Sequence, residues 1–161
     1  MEGRKKPSGD WRITRGMTDL LTIRNSHRFK IVAKSIGIWL ILISAEIIHG
    51  LLRAIALVPL VGEFRSNQIG VFTGSGIILV IAYLTIRWIG ARQPRELLLV
   101  GLIWLLLTVA FEVLFGRFVM SLSWEQITSG YNVLSGELMP LGLLVLFFSP
   151  MIAAKLRVAR K

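Results

Sequence analysis

Glu46, His49 and Arg53 stand three and four residues apart in the apolar run SAEIIHGLLR, Ser44 to Arg53. On a helix that spacing puts all three on one face, with Gly50 on the same stripe. A carboxylate beside an imidazole can hold and pass a proton, and a guanidinium one turn further on can hold an anion. Glu112 repeats the theme in a second apolar run, where it follows fifteen uncharged residues. Arg117 lies five residues beyond it.

What such groups do depends on the elements that carry them. The chain of 161 residues is 54% hydrophobic with a mean hydropathy of +0.68, and its charges lie between long apolar runs instead of along them. Neither a 3.6-residue nor a two-residue alternation is visible through those runs, so a bilayer fits them better than a soluble core does. A spanning helix needs about 20 mostly apolar residues. Four segments qualify: about 35–58, ended by Pro59, about 69–86, about 97–115 and about 138–154. The last contains Pro140 and Pro150, which membrane helices tolerate.

The expected fold is therefore all-α, a four-helix transmembrane bundle spanning residues 35–155. Residues 1–34 read as a basic tail, partly disordered or lying at the interface through Met17, Leu20, Leu21 and Ile23, and residues 156–161 as a basic C-terminus. Of the 19 lysines and arginines, nine fall within residues 1–34, three follow the second span and four follow the fourth. Arg53, Arg65 and Arg117 remain for the other side. By the positive-inside rule both termini are cytoplasmic, and the protein is expected to be a multi-pass protein of the cell inner (plasma) membrane.

Insertion scales make the opening residues costly. An intramembrane charge costs about 2.5–3.5 kcal/mol, and each Leu, Ile, Phe or Val returns about 0.3–0.6. The thirteen such residues from Ile36 to Val58 offset one central charge and one near the edge, so the first span still inserts. Arg53 is close enough to the outer boundary to snorkel; Glu46 is not. An Arg53–Glu112 ion pair is the preferred contact between spans one and three, leaving Glu46 to pair with His49 or to be neutral.

The inventory excludes several chemistries. With no cysteine there are no disulfides, thiolate metal sites, cysteine nucleophiles or quinone-linked disulfide exchange. Haem between helices takes two axial ligands, and the spans offer His49 alone, since His27 lies in the tail. A zinc site built from Glu46, His49 and Glu112 matches no metal motif, so no metal and no cofactor are expected. The net charge of +10 sits on juxtamembrane flanks, which points to anionic lipid at the cytoplasmic face and not to nucleic acid. No cleaved signal peptide is expected.

Gly70 and Gly74 in GVFTGSG form a small-xxx-small pair of the kind that packs helices closely. The segment from Gly116 to Pro140 supplies Arg117, Trp124, Glu125, Tyr131, Asn132 and Glu137 at the outer face. With Arg65, Asn67 and Gln68 of the first outer loop, it could form a polar cap over Arg53 and Glu112, while Trp124 and Tyr131 read more simply as interfacial aromatics. Through AEIIHGLLR, NQIGVFTGSG, RWIG and FEVLFGR, residues 44 to 157 resemble small four-span bacterial membrane proteins with no assigned activity. That resemblance implies a bacterial inner membrane and carries over no functional residue.

Three functional readings are compatible with these residues. The polar residues bind or transport a polar ligand in the outer half of the bundle, or they staple a non-catalytic structural or regulatory subunit of a membrane complex. In the third, an intramembrane enzyme uses Glu112 or Glu137 as acid or base on a lipid headgroup. Four helices rarely enclose an aqueous path alone, so a second copy or a partner membrane protein is expected.

Overall fold

The computed structural model describes residues 10–129, 132 and 138–159, with side chains from Ser26 onward except Ser129. The chain falls into two units, residues 1–30 and residues 31–161. The described part of the first is the opening stretch of helix α1, Asp10–Ala56; the second is the bundle. Among the described residues there are helices and no strand. Four stretches are long and apolar enough to cross a membrane: Ser26–Ala56, Glu63–Ile89, Pro94–Val119 and Met139–Ala159. The four-helix reading of the sequence therefore stands.

Its boundaries move. Hydropathy locates the part of a helix matched to lipid, whereas hydrogen bonding and backbone conformation set where the helix ends. Pro59 opens a short helix α2, Val58–Val61, because proline is accommodated in a first turn where its missing N–H is not needed. Gly62 then takes φ +81°, a conformation that suits glycine, and α3 starts at once, Glu63–Ile89. Arg65, Asn67 and Gln68 thus belong to the first turns of α3 and not to an outer loop. Gly90, at φ +85°, closes α3 with its N–H on the Ile86 carbonyl. Helix α4, Pro94–Leu114, starts from Gln93, and the Glu96 carboxylate accepts from the N–H groups of Arg92 and Gln93.

A π-turn, Phe115–Val119, ends α4, and the short α5, Trp124–Ser129, follows. Ser123 and Gln126 cap α5 reciprocally through their side chains. Helix α6, Met139–Ala159, completes the bundle. Tyr131 and Glu137 lie outside the described residues, as do residues 1–9 and the side chains of Met17, Leu20, Leu21 and Ile23.

Side-chain bonds order the helices. Trp104 Nε1 donates to the Ser35 carbonyl at 2.9 Å and Trp39 Nε1 to Thr108 Oγ1 at 3.0 Å, both across 69 residues, so α1 and α4 run parallel. Lys34 meets Trp88 and, further along, His49 meets Thr73, so α1 and α3 run antiparallel. Helix α6 packs on both α3 and α4, closing a ring in the order α1, α3, α6, α4. The buried core fills one half of it, from Ile31, Ile38 and Leu42 through Ala82 and Ile86 to Val100, Trp104, Leu146 and Ala153. Gly101 sits where α4 meets α6, and any Cβ there would collide with the Phe147 carbonyl. Only 22–28% of each span's apolar window is buried, which leaves the greater part of every helix facing lipid.

Candidate functional site

Beyond Leu42 on α1, no residue up to Ala56 is buried, and cavities open in the half away from the α3–α4 turn. The alternation of apolar and polar side chains explains this. The helix faces that meet as Ile38, Leu42, Ile78 and Trp104 in the closed half carry Glu46, His49, Arg53, Asn67 and Glu112 in the open half. There the helices enclose a cleft of about 480 Å³, which these five residues line together with Gly70, Gly74, Thr108 and Leu146. A second cavity of about 380 Å³ shares Glu46, Thr108, Glu112 and Met139 with it and extends past Phe111 and Phe115. Glu46 thus stands between two open spaces.

The closest polar geometry runs through His49. Its Nδ1 lies 3.4 Å from Glu46 Oε2, and its Nε2 lies 2.8 Å from Thr73 Oγ1. The Thr73 hydroxyl also lies 3.0 Å from the Ile69 carbonyl, which ties the imidazole to the α3 backbone. Glu46 Oε1 is buried and accepts no hydrogen bond among the described residues.

Arg53 and Glu112 line the same cleft. The hydrogen bonds of the Arg53 guanidinium go to α3, through Nη1 to Ser66 Oγ at 3.3 Å and to Asn67 Oδ1. Asn67 reaches Arg53 because α3 begins at Glu63. Hydropathy gives no sign of that, nor does it single out Thr73 and Thr108, uncharged residues within apolar stretches.

Gly70 and Gly74 lie on the seam between α1 and α3, where helix-packing glycines belong, but what they admit is side chains. A Cβ at Gly70 would stand 2.6 Å from Arg53 Cδ, and one at Gly74 would stand 2.8 Å from Glu46 Oε2. The glycines are seats for the two charged residues of the facing helix.

No family model, curated protein or solved structure matches this chain. The geometry must carry the reading alone.

Arg117 corrects the expected grouping. It is absent from the lining of either cavity; it is exposed, donates to the Leu122 carbonyl at 3.1 Å and lies 6.0 Å from the centre of the Trp124 ring. The π-turn and the tight return to α5 leave it holding its own loop. Glu46, His49 and Glu112 do not gather as a three-ligand metal site among the described residues. What the arrangement offers is a recess with a carboxylate beside an imidazole, a seated guanidinium, and a second carboxylate.

Proposed function

We propose that this integral membrane protein binds a small polar or anionic solute in the cleft, in the outer half of the bundle, and couples binding to proton movement on Glu46 and His49. The observation that carries the reading is the position of Glu46. It lies at membrane depth between two cavities, with one oxygen beside His49 and the other, buried, without a donor. Rotation of the Glu46 side chain into the cleft brings that oxygen to a solute N–H or O–H, and Arg53 one helical turn beyond His49 supplies charge for an anionic group. The distribution of lysine and arginine supports an orientation with both termini cytoplasmic, so that the cleft opens outward. The packed half containing Leu42, Ala82 and Trp104 then closes the path to the cytoplasm, and transport through the bundle requires that half to part.

The test is a thermal-stability screen of the full chain in lipid nanodiscs against small carboxylates, phosphate esters and amines. On this reading at least one class raises the Tm of the wild type, and Glu46→Gln and Arg53→Gln abolish the rise while remaining folded. The glycine seats favour a second reading, in which Glu46 and Arg53 are a structural staple of a larger complex. In that case no solute shifts the Tm, and Glu46→Gln alters stability alone.

A further inference from the structure

At the opposite end of the bundle, where α3 turns into α4, a cavity of about 710 Å³ opens beside the last turns of α6. Arg87, Arg92 and Arg157 line it from three separate elements, and Ile86, Ala154 and Val158 form an apolar wall. No carboxylate lines it among the described residues. The nearby Glu96 is engaged at the start of α4 by the N–H groups of Arg92 and Gln93. Three like charges around one recess repel one another, and an anion in the recess relieves that repulsion.

Arg157 is the most constrained of the three. Its guanidinium lies 4.5 Å from the centre of the Tyr83 ring, and Nη2 reaches the Leu84 carbonyl at 3.4 Å. Its Nε is buried and donates to nothing among the described residues. A cation held on an aromatic face, with its Nη1 hydrogens unspent, keeps a fixed positive charge and donors for an oxyanion at the recess. Lys34, whose Nζ donates to the Trp88 carbonyl at 2.7 Å, adds positive charge at the same end.

We infer that this recess is a binding site for a phosphate group, and that the phosphate is the headgroup of an anionic phospholipid. Charge alone would admit free phosphate. The apolar wall decides for lipid, because it matches the glycerol and upper acyl region of an amphiphile whose phosphate sits among the arginines, at the depth where a helix end meets the headgroups. The site is separate from the cleft that contains Glu46 and stands whether or not that cleft binds a solute.

Native mass spectrometry of the detergent-purified full chain tests it, with phosphatidylglycerol, phosphatidylcholine and inorganic phosphate as probes. Phosphatidylglycerol is expected to bind the wild type about tenfold more tightly than it binds Arg87→Gln/Arg92→Gln, since charge-assisted hydrogen bonds are lost. Those two residues are exposed, so the variant keeps its fold. Arg157→Gln is expected to show the same loss, whereas Arg95→Gln/Lys155→Gln, which removes equal charge from outside the cavity, leaves binding within about twofold. Equal losses in both double variants, or equal binding of phosphatidylcholine and phosphatidylglycerol, would overturn the site. Displacement of phosphatidylglycerol by inorganic phosphate, itself bound with the same arginine dependence, would overturn the lipid source.

Discussion

Gly74 has no side chain, and the Glu46 carboxylate fills the space that one would take. Gly74→Ala must displace the carboxylate or part α1 from α3, at a cost of about 1–3 kcal/mol in a denaturant titration. Gly76, where an added methyl group would meet nothing within 4 Å, is the control, and Gly76→Ala gains up to about 1 kcal/mol from helix propensity. If the seat exists for Glu46, Glu46→Ala makes Gly74→Ala tolerable, and the double-mutant cycle shows coupling of about 0.5–3 kcal/mol. Additive costs would mean that the glycine serves backbone packing alone. Thr73→Val removes the hydroxyl that meets His49 Nε2, and with two histidines in the chain the loss of that hydrogen bond is readable in the imidazole nitrogen shifts by NMR. An unchanged His49 spectrum would contradict the hydrogen-bond chain.

At the scale of elements, the long helices owe their stability to a few close approaches. Gly101→Ala places a methyl against the Phe147 backbone carbonyl, which, unlike a side-chain end, cannot swing away, so it costs more than Gly74→Ala. Trp104→Ala empties the largest fully buried site and costs about 3–5 kcal/mol, while Trp104→Phe isolates the contribution of the bond to Ser35. Unfolding midpoints in detergent check the order Trp104→Ala, Gly101→Ala, Gly74→Ala. The spans themselves were legible in the sequence because twenty apolar residues in a row admit one solvent. Their ends were not: α3 begins at Glu63 because of the conformation of Gly62, and hydropathy is blind to a single dihedral angle. Gly101 was missed for a related reason, since a lone glycine in an apolar run says nothing about which carbonyl will face it.

For the whole molecule, the sequence placed Glu46, His49 and Arg53 on one helix face, and the structure brings Glu112 of α4 to the same cleft. Arg117, equally plausible by position, turns away because the chain folds back through a π-turn directly after α4. Spacing within one helix is thus readable from sequence, whereas convergence across helices depends on crossings that periodicity does not encode. The resulting bundle is packed between the helices around Leu42, Ala82 and Trp104, and the cleft with Glu46 lies on one side of that packed layer. That asymmetry, more than any single residue, distinguishes a binding cleft from a dry staple, and it is open to direct test because the chain contains no cysteine. Ser75→Cys places a near-isosteric thiol on the lining of the cleft, Ser35→Cys places one in the closed core, and Leu84→Cys places one on an exposed apolar face. The decisive measurement is the rate at which a membrane-impermeant thiol reagent, added outside intact cells, modifies each variant. The account predicts that Ser75→Cys reacts while Ser35→Cys and Leu84→Cys do not; a Ser75→Cys as unreactive as Ser35→Cys would contradict it.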